Sequence, residues 1–272
     1  MTGMTSTERS GQRATDRGAA LVTGAGTGIG AAITERLAAR GRDLVLVARD
    51  SVRLEAAAVR LRAEHRVDVL TVPLDLSLPD APAHLAEHLK SSGVEVDILV
   101  NNAGVAVVGP VGDIGPARIR GLVDLNAGAV AETTALFLPA MLARGRGAIV
   151  NIASTAAYAP APYNAAYAAS KAFVLSFTQA LWHETRGTGV RVVAVSPGAI
   201  ETPMNPGRAR GKRRPEQVAE TVMTALRGHA PAVVDGRAYV LQTFVFSRVL
   251  PSRTAARLTG NFFRKAAQRT HA

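Results

Sequence analysis

Cysteine is absent from the 272 residues, and aromatic residues make up only 4% of them. The first absence excludes disulfides, thiolate metal sites and a cysteine nucleophile. The second leaves little material for the stacking platforms on which single-stranded nucleic acid is held. The opening segment, MTGMTSTERSGQRATDRG, contains no apolar run, so no signal peptide is expected there. No stretch approaches the ~20 uninterrupted apolar residues of a spanning helix. Acid is missing locally as well. Residues 208–214 hold five basic residues and no acid, and residues 236–272 hold seven and no acid. The formal net charge of +11 is therefore confined to one loop and one tail, the rest carrying 20 basic against 21 acidic residues. That distribution argues against a nucleic-acid-binding surface. A cytoplasmic protein with a disordered tail over residues 1–17 is expected.

What is present is a compact-protein composition, 47% hydrophobic and 19% charged, long enough for one large domain. Apolar, β-branched runs at residues 19–23, 44–48, 69–74, 96–100, 149–152 and 190–195 read as buried strands, with a weak seventh near 232–234. Helical stretches alternate with them: 31–40, 51–64, one around His84, 117–144, 167–184 and 215–227. Alternation without a repeat or linker predicts an α/β fold, a doubly wound parallel sheet in a single domain spanning residues 18–235. Residues 236–272 form a basic, partly apolar extension.

The chain is organised around AIVNIASTAAYAPAPYNAAYAASK, residues 148–171. Ser154 falls just past the end of a strand. Tyr167, alone among the four tyrosines, has a lysine at i+4, Lys171, which a helix would place on the same face. A nearby ammonium favours phenolate and lowers a tyrosine pKa, making the phenol a usable proton donor and acceptor. The first strand runs into Gly24-Ala-Gly26-Thr27-Gly28-Ile29-Gly30 and then a helix, the context in which a dinucleotide pyrophosphate rests on helix N–H groups. The second strand ends in Ala48-Arg49, where an acidic residue commonly binds a ribose 2′-hydroxyl; arginine there suits a 2′-phosphate. Asn101-Asn102-Ala103-Gly104 follows the fourth strand, at the edge where open α/β sheets bind ligands. Asn126 is an odd residue inside an apolar helix. His84-Leu-Ala-Glu87-His88 matches an H-x-x-E-H pattern but lacks a third ligand, and reads as a solvated helix face; no metal is expected.

Taken together, Thr23-Gly24-x-x-x-Gly28-Ile29-Gly30, Asn101-Asn102-Ala103-Gly104, Asn126, Ser154, Tyr167-x-x-x-Lys171 and Pro197-Gly198 with Thr202 resemble the motifs of the short-chain dehydrogenase/reductase family, over residues 18–234. The resemblance implies a seven-stranded Rossmann-type sheet and an NAD(P)(H)-dependent oxidoreductase interconverting a carbonyl and a secondary alcohol. It makes Tyr167 the general acid/base and has Ser154 orient the substrate oxygen. Lys171 would hold the nicotinamide ribose while lowering the tyrosine pKa, and Asn126 would position a relay water. It sets Thr23, Gly24, Gly26, Thr27, Gly28, Ile29 and Gly30 around the cofactor. Asp75 and Leu76 would border the adenine and Asn102 the adenosine ribose, with Ala103 and Gly104 also binding the cofactor. Ile200 and Thr202 would contact the carboxamide, with Pro197 and Gly198 also binding the cofactor. Arg49 resembles the NADP-preferring branch, so NADP(H) is expected over NAD(H). A small-molecule substrate and a homo-oligomer built on the helices from about Ala117 and Tyr167 are also implied.

Two other readings remain: a non-catalytic, cofactor-binding regulator on the same fold, and a protein held on a membrane surface by its basic tail. The loop of residues 207–214 follows the nicotinamide-side motif. Its Arg208, Arg210, Lys212, Arg213 and Arg214 are expected to repel one another, leaving it either a solvated charge run or a mobile cover for something anionic.

Overall fold

The computed structural model describes residues 18–202 and 211–270. The expectations for residues 1–17 and for Arg208 and Arg210 lie outside them.

Seven parallel strands form one sheet in the order β3-β2-β1-β4-β5-β6-β7. They are β1 (Ala19–Thr23), β2 (Leu44–Ala48), β3 (Val69–Pro73), β4 (Val96–Asn101), β5 (Gly147–Ile152), β6 (Val190–Ser196) and β7 (Ala232–Val234). Their apolar runs are near-continuous because both faces are covered. Alternate residues go to opposite sides. Val22, Leu46, Val100 and Val150 pack on α1 (Gly28–Ala38), α2 (Ser51–His65) and α7 (Pro215–Ala225). Leu21, Val45, Leu99 and Ile149 pack on α3 (Ala81–Ser91), α5 (Ala129–Arg144) and α6 (Ala165–Glu184). Strand order reverses between β1 and β4, so a crevice opens beyond the carboxyl ends of those strands.

The helix expected to run unbroken over residues 117–144 is interrupted. It comprises α4 (Pro116–Val123), a π-helical turn at Asp124–Gly128, and α5. Asn126 sits in that turn, fully buried, and its amide is spent on another segment. Such single π turns are common at functional sites. The α4–α5 rod is long and apolar enough to cross a bilayer by length and composition; here Met141 and Ala129 lie in the core against the sheet. The basic extension is also ordered: α8 (Arg237–Phe244), a π turn at Val245–Val249 and α9 (Ser252–Thr270).

Candidate active site

The glycine turn is fastened to β4 by Thr23. Its hydroxyl accepts from the Asn102 and Ala103 N–H groups, both at 3.0 Å, while the Asn102 amide donates to the Thr23 and Gly24 carbonyls at 2.9 and 3.2 Å. Helix α1 springs from this turn so tightly that a Cβ on Gly30 would stand 2.2 Å from the Gly24 carbonyl oxygen. Thr27, at the head of α1, makes no side-chain cap, so the first-turn N–H groups remain directed at the crevice.

Ser154 lies just past β5, extended and buried, its hydroxyl accepting from Ala156 N–H at 3.1 Å. Tyr167 and Lys171 are on the first turns of α6, which begins two residues earlier than expected, at Ala165. The Ser154 hydroxyl stands near enough to the Tyr167 phenol to lower its pKa. Lys171 is buried, and its Nζ donates to the Ile152 carbonyl at 2.8 Å and lies 6.0 Å from the centre of the Tyr167 ring.

Burial dominates the titration of both groups. It pushes the Tyr167 phenol above its ordinary value, with Ser154 pulling the other way. It pushes the Lys171 amine down to about 8. The tyrosine lowering by Lys171 expected from the i+4 spacing is not what opposes burial; Ser154 is.

Asn126 reaches the same place from the π turn. Its amide pairs with both backbone groups of Val105, at 2.9 Å each, and donates to Ser170 Oγ at 3.2 Å. Its Oδ1 and Lys171 Nζ lie 3.1 and 3.5 Å from the point where a Gly104 Cβ would stand, so a side chain at 104 would crowd both. Beneath them, Asn101 and Asn151 pair at 2.9 Å and tie into Thr133, Thr134 and Thr178. This buried network fixes the ends of β4 and β5.

One cavity of about 1170 Å³ takes in nearly all of these groups. Gly24, Gly26, Thr27, Gly28, Ile29, Arg49, Asp75 and Leu76 line one end; Asn102, Ala103, Gly104, Ser154, Tyr167 and Lys171 line the middle; Pro197, Gly198, Ile200 and Thr202 close one side. Thr23, Gly30 and Asn126 stand behind the wall and hold it in place. Arg49 is largely exposed, with Asp75 3.8 Å away; burial raises the Asp75 pKa, but hydrogen bonds from Ser77 and the Arg49 charge leave it below the usual range. The fit to a dinucleotide is sound: uncapped N–H groups, a glycine cradle and a buried amine share one elongated space.

Several lining residues escaped the sequence reading. Arg53, on α2, joins Arg49 at the first end. Asn164 is buried, and its Oδ1 has no hydrogen-bond partner among the described residues. The rest come from the extension: Tyr239, Gln242, Thr243, Phe246, Leu258, Thr259, Phe262 and Phe263 roof the far end of the cavity. Tyr239 packs so closely that a Cβ on Gly198 would meet its ring at 2.3 Å, and its hydroxyl accepts from Ala199 N–H and donates to the Gly211 carbonyl.

His84, Glu87 and His88 are exposed along α3. Among the described residues, the group close enough to share an ion is Glu35, Glu64 and His65, and Arg60 already bridges the two carboxylates at 2.6 and 2.8 Å.

The family model for short chain dehydrogenases matches residues 18–213. The chain belongs to the short-chain dehydrogenase family. An uncharacterized oxidoreductase of Staphylococcus saprophyticus is 36% identical over 76% of this chain and 90% of its own. A short-chain dehydrogenase from Sphingobium yanoikuyae, solved in complex with NADPH, superposes with a TM-score of 0.76 at 32% identity, covering 87% of this chain and 97% of that one. The bulky-bulky ketone specific alcohol dehydrogenase from Comamonas testosteroni covers 94% of each chain with a TM-score of 0.75 and 29% identity. The seven-stranded Rossmann-type sheet and the membership among short-chain dehydrogenase enzymes thus agree with the sequence motifs.

Proposed function

We propose that this short-chain dehydrogenase is an NADP(H)-dependent oxidoreductase of the cytoplasm that interconverts a bulky, mainly apolar ketone and its secondary alcohol. The observation that carries the reading is that Ser154 and Tyr167 line one cavity with the dinucleotide cradle and with an apolar roof of Phe246, Phe262 and Phe263. The bulky-ketone enzyme of Comamonas testosteroni covers 94% of this chain.

The nicotinamide, when bound, supplies the hydride that the carbonyl carbon accepts. The protein does the rest. Ser154 Oγ hydrogen-bonds the carbonyl oxygen and fixes its direction. Tyr167 Oη delivers a proton to that oxygen as charge develops on it. Lys171 holds the ribose and lies beside Asn126, to which we assign the relay position. The orphan Oδ1 of Asn164 offers an acceptor for a hydroxyl on an otherwise apolar substrate. The stacked Phe173 and Phe177 on α6, Phe173 partly exposed, support a homo-oligomer. The test is a panel of ketones graded in size, with NADPH oxidation followed by absorbance. Bulky ring-bearing ketones should exceed acetone in kcat/KM by more than about tenfold, since each buried methylene contributes ~0.8 kcal/mol. Absence of turnover on any ketone or alcohol with either cofactor would favour the regulator reading instead.

Arg49 is the basis of the cofactor preference. A guanidinium-to-phosphate bond contributes about 1.5–3 kcal/mol, so Arg49→Asp should weaken NADPH by roughly tenfold or more while sparing NADH. Fluorescence titration of both cofactors reads this directly, and equal affinities in the unmodified enzyme would leave Arg49 a solvated residue.

Lys171 gives a second check. Its amine holds the proton below about 8 and loses it above. NADPH is anionic, so its affinity should fall as pH rises through that value, and Lys171→Met should remove the step. A step that persists in Lys171→Met belongs to another group.

A further inference from the structure

The roof of the cavity has an outer side that the reaction does not use. Leu241, Phe244 and Val249 each leave more than half of their surface to solvent, and none lines the cavity. Leu258 and Phe262, one helical turn apart on α9, are exposed yet line the cavity, so they stand at its rim. The inner side of α9 is already engaged. Ala255 is buried, and Thr259 donates to the Pro160 carbonyl at 2.6 Å. Arg253, Arg257 and Arg264 recur at i, i+4 and i+11, a stripe along another face, all exposed; Arg237 and Arg248 are exposed on the segments before it. Seven basic residues and no acid occupy residues 236–272.

Exposed apolar side chains this concentrated on a folded surface mark a docking site. A second copy of the chain is a poor occupant, because a symmetric contact through this surface would set two acid-free basic faces against each other. An acidic protein would answer the charge but not the aliphatic and aromatic side chains. An anionic bilayer answers both, taking the apolar side chains into the acyl boundary while the arginines meet phosphate headgroups.

We propose that the α8–α9 roof seats the enzyme on an anionic membrane surface, with the cavity mouth toward the lipid, so that an apolar carbonyl compound enters from the bilayer. Docking stands on its own; entry of substrate from the lipid rests on the ketone reading above.

The test uses the full chain and two vesicle preparations, phosphatidylcholine alone and phosphatidylcholine mixed with phosphatidylglycerol. The protein should co-sediment with the mixed vesicles at least about tenfold better at low salt, and less so as salt is raised. Arg248→Gln with Arg253→Gln should lower that binding about tenfold or more, each charge near such a surface contributing about fivefold. Leu241→Ser, Phe244→Ser and Val249→Ser combined should also lower it at least about tenfold, while turnover of a water-soluble ketone stays at its original rate, showing an intact fold. No co-sedimentation of the unmodified chain overturns the proposal. So does undiminished binding by the triple variant, which would mean adsorption by charge alone. Sedimentation as an oligomer that only the triple variant dissociates, without vesicle binding, assigns the surface to a second copy and also overturns it. Binding as expected with no turnover of any ketone leaves docking in place and removes the ketone reading alone.

Discussion

Replacing Tyr167 by phenylalanine should lower kcat for ketone reduction by about 10²–10⁴-fold while leaving NADPH affinity within about twofold of the original. The phenol is the group that separates the two quantities. It lies beside Ser154, in the cavity but outside the glycine turn, so its loss removes proton delivery without opening the dinucleotide end. The direction of its pKa also fixes a pH dependence. A phenol pushed above its ordinary value stays protonated through neutral pH, the state that donates in reduction. Alcohol oxidation needs the phenolate, whose fraction grows as pH rises. Reduction should therefore be flat through neutral pH, and oxidation should climb toward alkaline pH. Steady-state rates in both directions, with a separate binding titration, check all three statements. Near-normal turnover of Tyr167→Phe on a good substrate would end the assignment of this residue.

The strands were legible because a parallel sheet covered on both faces writes itself as near-continuous apolar runs, such as Leu44–Ala48 and Ile149–Ile152 with Asn151 as its one polar residue. The cradle was legible because a strand, a glycine turn and a helix in sequence leave few alternatives. Long-range cost was not. The i+4 spacing of Tyr167 and Lys171 shows one helix face, but not that burial shifts the tyrosine upward and the lysine downward. The π turn at Asp124–Gly128 leaves no compositional mark, since it is set by what Asn126 binds across space, at Val105. The extension read as a mixed tail because its apolar residues divide between two jobs. Phe246 and Phe263 face the cavity, while Leu241 and Phe244 face outward, so neither a helical stripe nor an alternating pattern stands out.

Asp235→Ala should destabilise the protein by about 3 kcal/mol and lower its Tm by roughly 6–12 °C. The basis is a correction to the charge reading of the loop. Arg213 was expected to be one of five mutually repelling cations. Its guanidinium instead makes a fork to Asp235, Nε to Oδ2 at 2.7 Å and Nη2 to Oδ1 at 3.1 Å. Asp235 is wholly buried after β7, and Thr221 of α7 also donates to it, at 2.5 Å. Next to the pair, Arg213 N–H donates to the Ala199 carbonyl and Glu201 N–H to the Arg213 carbonyl, both at 3.0 Å. The carboxylate therefore ties the end of the basic loop to the nicotinamide-side segment Pro197–Thr202. Removing it leaves a charged Arg213 with 29% of its side chain exposed and the Thr221 hydroxyl with only the Gln217 carbonyl, at 3.2 Å, as acceptor. The partial exposure of Arg213 keeps the cost near the low end for a broken buried pair, since water still reaches one side. Because the pair holds Ile200 and Thr202 against the cavity, cofactor affinity should fall along with stability. Arg213→Ala should be similarly destabilising, since it leaves the buried carboxylate without a cation. The double variant should be less harmful than the sum of the two, because neither charge is then left alone. Thermal melts of the three variants, with NADPH titration, decide it. Additive losses, or a Tm within a degree or two of the original in Asp235→Ala, would show that the loop is held by something other than this pair.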